Sequence, residues 1–76
     1  MAKYNGHRNW DYWNVSLWIN NDEGLYNLAR DCVESERTRT LAAGAFLDAL
    51  AESGITKTPD GARYTLDKVV RAMAGM

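Results

Sequence analysis

Cysteine, histidine and proline occur once each in this 76-residue chain, as Cys32, His7 and Pro59. A single thiol cannot close a disulfide within one protomer, so the cross-links of small secreted scaffolds are missing and a reducing compartment is expected. Cys32 and His7 are the only soft ligands where a structural zinc ion takes about four, which excludes such a site within a protomer. His7 stands beside Arg8 with no nucleophile or carboxylate spaced to work with it, and reads as a structural or solvated side chain. Long apolar runs are lacking too. No stretch of about eighteen apolar residues and no basic-then-apolar leader is present, so a cytoplasmic protein is expected. Neither sign of charge dominates, with ten acids against nine bases spread over both halves. The chain therefore has no single-sign field of the kind that draws nucleic acid or an acidic membrane.

What the chain does have is ring surface. Its three tryptophans all fall in "NWDYWNVSLWINND", Asn9 to Asp22, and four tyrosines and Phe46 accompany them. A single domain of this length buries only roughly 60–65% of the surface its unfolded form exposes. Each large ring can supply about 150–250 Å² of buried area while ordering few torsions. The expectation is one compact domain, with self-association as an aid where the core falls short.

The apolar spacing is helical. Met1 to Arg8 carries no periodic pattern and reads as a flexible arm, with a turn signal at Asn5-Gly6. Asn9 can cap a first helix over about residues 10–20, with Trp10, Trp13 and Leu17 on one stripe and Val15, Trp18 and Ile19 widening it. Trp13 and Leu17 are the expected core positions. Asn21 or Asp22 can cap a second helix whose inner face is Leu25, Leu28, Ala29, Cys32 and Val33. Thr38 or Thr40 can cap a third, carrying Leu41, Ala42, Ala45, Phe46, Ala49 and Leu50. Gly44 within it costs up to about 1 kcal/mol against alanine and calls for a packing reason. Gly54 fits a left-handed cap closed by Ile55. Thr58-Pro59-Asp60-Gly61 is a strong turn signal, and its flanks suit either a short hairpin or a structured loop. Thr65 caps a last helix with Leu66, Val69, Val70 and Met73, and Gly75-Met76 should fray. The fold expected is all-α: a compact domain of three or four helices, with a hairpin or loop near Pro59.

No constellation points to chemistry, so an enzyme is not expected and no catalytic, cofactor or metal residue is assigned. Asn20 to Gly24 offers oxygen ligands but lacks the final glutamate of a calcium loop, and helix capping explains the same residues. Asn14-Val15-Ser16 matches a glycosylation sequon inside an expected helix and is read as chance. Cys32 reads as a buried, unreactive thiol. Arg30, Arg37 and Arg39 make the best case for nucleic acid, and tandem helices with a wing would permit a DNA-binding regulator. Asp31, Glu34 and Glu36 interleave with those arginines and weaken it. The four rings Trp10, Tyr12, Trp13 and Trp18 exceed what one short helix can bury in a small bundle, and exposed indole is a common binding anchor. The candidate partner-binding residues are therefore Trp10, Tyr12 and Trp18 with the acidic set Asp22, Glu23, Asp31, Glu34 and Glu36. A homodimer that consumes the surplus ring surface is the alternative.

Tyr4-Asn5-Gly6, Asn9, Trp13-Asn14-Val15, Leu17-Trp18 and Asn21-Asp22 together resemble the opening signature of a group of small bacteriophage and prophage proteins. That signature carries a threonine where Tyr12 stands here. The match spans Tyr4 to Ala29, about a third of the chain. The resemblance implies a phage or prophage origin, and with it an inhibitor of a host defence complex in the manner of an anti-CRISPR protein. Its partner would be a host protein complex such as a CRISPR effector, whose nucleic-acid-holding arginines the acidic set would occupy.

Overall fold

A computed structural model describes residues 10–76, so the expected arm, the cap at Asn9 and the reading of His7 lie outside the described residues. Four helices follow one another: α1 (Trp10–Asn21), α2 (Glu23–Ser35), α3 (Arg39–Glu52) and α4 (Leu66–Ala72). Short polar side chains set where three of them start. Asp22 alone separates α1 from α2, and its carboxylate accepts the Leu25 amide at 3.0 Å. Thr38 takes the Leu41 amide at 3.1 Å and Thr65 takes that of Lys68 at 3.5 Å. Each such cap satisfies an amide that the first turn leaves without a partner.

The far end of α3 closes as its sequence suggests. Gly54 adopts φ +76°, its amide reaches the Ala51 carbonyl at 2.9 Å, and the Ile55 amide reaches Leu50 at 2.9 Å. This is the paired-bond stop that a left-handed glycine permits. Residues 55–64 then form neither a full hairpin nor an open loop. The Gly61 amide donates to Thr58, Thr58 and Ala62 pair at 2.7 Å, and Lys57 and Arg63 form a lone antiparallel bridge. No sheet is present among the described residues, and the domain is all-α.

The helices pack in a ring, α1 on α2, α2 on α3, α3 on α4 and α4 on α1. Val15, Ile19, Phe46, Val69 and Met73 meet in the centre with no solvent exposure. Burial of side chains this size contributes about 1.5–3 kcal/mol each. Tyr64 stands edge-on to Phe46, with ring centroids 6.3 Å apart.

Several positions depart from the expected pattern. Val15 and Ile19, not Trp13 and Leu17, are the sealed positions of α1; the latter two are half-buried. A thin four-helix core accepts compact branched side chains where an indole would force the helices apart. Leu41 and Leu66, expected to face inward, lie at the starts of α3 and α4 and are exposed. Met76 does not fray: its amide bonds to Met73 and its side chain packs against the core. Gly44 has no packing reason within the protomer, since an added Cβ would meet nothing within 4 Å.

Candidate partner-binding surface

A polar node fixes how α1 presents its rings. Asn14 turns into the apolar side of the helix and is 1% exposed. Its carbonyl oxygen accepts from the Thr58 hydroxyl at 2.6 Å, and its amide nitrogen donates to Asp60 at 2.9 Å. Thr58 Oγ1 in turn accepts the Ala62 amide at 3.0 Å. Trp18 Nε1 donates to the same Asp60 oxygen at 2.9 Å. A buried amide with both ends satisfied avoids the desolvation cost of an orphaned polar group. Asn14 and Trp18, donating to Asp60, hold its carboxyl below the usual carboxylate value. The node ties α1 to the turn before α4 and fixes the Trp18 indole against it. Neither Asn14 nor Thr58 was foreseen as an anchor; the available signal was an amide beside Val15, on the apolar arc of α1.

The candidate rings separate by place. Trp10, at the first turn of α1, is 37% exposed. Asp11, its neighbour, pairs with Lys68 at 3.6 Å, and the same ammonium donates to the Arg63 carbonyl at 3.2 Å. Tyr12 is half-buried beneath the Arg71 guanidinium, which lies 5.9 Å from the ring centroid. Trp18 is half-buried and held by the node. Trp10 and Trp18 are eight residues apart, roughly 12 Å along the helix. None of the four rings of α1 reaches the sealed core.

The acids do not form one set. Glu23, Asp31 and Glu34 are exposed at positions that share the outer face of α2 with Asn27 and Arg30. Asp22 is exposed too, but one of its oxygens is engaged as the cap of α2. Glu36 is half-buried at the other end, where its amide closes the helix. Arg30 offsets part of this charge. Its guanidinium reaches the Tyr26 hydroxyl and Glu34, each at 3.4 Å, and both contacts hold its proton more tightly than usual.

Burial, with Asp31 and Glu36 nearby, pushes the Cys32 thiol up and away from the reactive thiolate. No group of three or more His, Cys, Asp or Glu side chains is placed to hold a metal ion. No helix is long and apolar enough to cross a membrane. A shallow groove of about 300 Å³ runs between the end of α3 and the 55–64 turn. Its lining is mixed: Leu47, Ala51 and Ile55 are apolar, and Asp48, Thr56 and Arg63 are polar. The chain matches a family of unknown function, DUF7249, over residues 1–74, and it belongs to that family. No curated protein and no solved structure matches it.

Proposed function

We propose that this member of DUF7249 is a protein–protein interaction module that inhibits a host defence complex by covering a surface the complex needs. One observation carries the binding role: α1 seals Val15 and Ile19 in the core, keeps Tyr12, Trp13 and Trp18 half-buried, and exposes Trp10. An indole that a small protein keeps at its surface is a natural anchor for a partner pocket. The outer acids of α2, Glu23, Asp31 and Glu34, add charge complementary to a basic face and steer the encounter. The kind of target rests on the resemblance of Tyr4 to Ala29 to phage proteins, which favours a CRISPR effector and a site of action in the host cytoplasm. Arginines that hold guide or target nucleic acid are the groups these acids would occupy.

The test is plasmid interference in a host whose CRISPR system is active, with and without expression of the protein. Expression should restore plasmid establishment, and the combined reversal Glu23→Lys, Asp31→Lys and Glu34→Lys should abolish that effect with the helical content unchanged. Protection that survives the reversal would remove the acids from the mechanism. No protection by the wild-type chain against any effector type would remove the target.

A further inference from the structure

Asp60-Gly61 is the one aspartyl-glycyl linkage in the chain, and both residues are exposed in the turn that Thr58 and Ala62 close. An aspartate before glycine is chemically the most exposed kind, because glycine has no side chain to shield its amide nitrogen from the neighbouring carboxyl. Gly61 holds φ +98°, with open space where a Cβ would stand. The other described aspartates precede Tyr12, Glu23, Cys32, Ala49 and Lys68, and all lie in helices or at a helix cap. Three hydrogen bonds occupy the groups that a cyclisation at this linkage needs free. One Asp60 oxygen accepts from Asn14 Nδ2 and from Trp18 Nε1, each at 2.9 Å. The Gly61 amide donates to the Thr58 carbonyl at 2.9 Å. Cyclisation also needs the carboxyl protonated, and the two donors on Asp60 favour its ionised form.

We propose that Asp60 is a site of spontaneous isoaspartate formation, gated by the hydrogen bonds from Asn14 and Trp18. While those bonds hold, the linkage is preserved; when they open, it converts. The Gly61 nitrogen attacks Cγ of the protonated Asp60 carboxyl and gives up its proton. The carboxyl hydroxyl departs as water, and a cyclic succinimide closes. Water then adds at one of the two ring carbonyls. Opening at Cγ restores aspartate, whereas opening at the Asp60 main-chain carbonyl leaves the chain running through Cγ as isoaspartate. The composition is unchanged, and no oxidant or enzyme takes part. The conversion inserts a methylene into the main chain and seats the carboxylate directly on Cα. A group so shortened, on a backbone so lengthened, does not serve both donors. Asn14, 1% exposed, then keeps an amide nitrogen without its acceptor, and Trp18 loses its tether. The node is thereby lost through a covalent change that refolding does not reverse.

Peptide mapping after prolonged incubation at neutral pH tests this. Trypsin cuts after Lys57 and Arg63, so residues 58–63 leave as one peptide whose aspartyl and isoaspartyl forms separate by retention. Asn5-Gly6, whose deamidation also yields isoaspartate, falls in a different tryptic peptide. The folded wild-type chain should convert about tenfold or more slowly than the same chain held in urea. Asn14→Ala and Trp18→Phe should each convert about three- to tenfold faster than folded wild type. Leu28→Ala removes packing from α2, a helix that contributes nothing to the node, and should stay within about twofold of wild type. The purified isoaspartyl form should melt below wild type, with altered Trp emission. A peptide 58–63 that remains aspartyl even in urea would overturn the site. Folded wild type converting as fast as the chain in urea would overturn the gate. The gate also fails if the node variants are no faster than wild type, or if Leu28→Ala matches Asn14→Ala. An isoaspartyl form with wild-type melting would contradict the loss of the node.

Discussion

Asn14 is the side chain on which the presentation of α1 depends. Its two hydrogen-bonding ends join Thr58 and Asp60, residues more than forty positions away in sequence. Asn14→Ala removes both bonds and leaves the Thr58 hydroxyl in a buried site, so it should lower stability by about 1–3 kcal/mol in denaturant unfolding. Asp60 gives the same node a pH signature. Its carboxyl is held below the ordinary 3.8 by Asn14 and Trp18. A depressed carboxylate adds stability above the unfolded value, and that contribution is lost as the pH falls through the folded one. Acid titration followed by Trp fluorescence should therefore show a transition below pH 3.8. Asp60→Asn should remove that transition while the neutral-pH helical signal stays.

At the scale of elements, capping residues and glycines decided most boundaries, and they are local signals that a sequence displays openly. Asp22, Thr38, Thr65 and Gly54 act where their chemistry says they should. The facing of α1 was harder to read because apolar residues surround most of that helix. Choosing the sealed pair then depends on what α2 and α4 can accommodate, a property of packing and not of periodicity. Asn14 was missed for the same reason, since its partners lie in a distant turn. Leu41 and Leu66 fit an inward helical pattern but fall in first turns, where the helix has not yet entered the core. Gly44 gives a direct check on the packing described here. With open space around its missing Cβ, Gly44→Ala should raise the stability of the monomer by about 0.4–1 kcal/mol in thermal melts at low concentration. A destabilised variant would mean that α3 approaches a neighbour more closely than described.

The described residues form a ring of four helices that seals compact side chains inside, with Trp10 exposed and Trp13 and Trp18 half-buried on α1. An all-α fold of three or four helices was legible from spacing and caps, and the structure has four among the described residues. Which rings stay outside was legible only as an excess of ring surface over interior volume, because α1 could have turned either stripe inward. Of the acids in the candidate set, Glu23, Asp31 and Glu34 are exposed on the outer face of α2, while Asp22 caps its start and Glu36, half-buried, closes its end. Binding through the rim of α1 is the claim on which the functional reading stands. Its most direct measurement is the affinity of the purified protein for the CRISPR effector proposed as its target, compared between the wild-type chain and Trp10→Ala. Trp10→Ala should lose about tenfold or more in affinity with its helical content unchanged at the assay temperature, since the exposed part of the ring is the anchor and Val15 and Ile19 hold the core. Equal affinity in the two proteins would contradict the account.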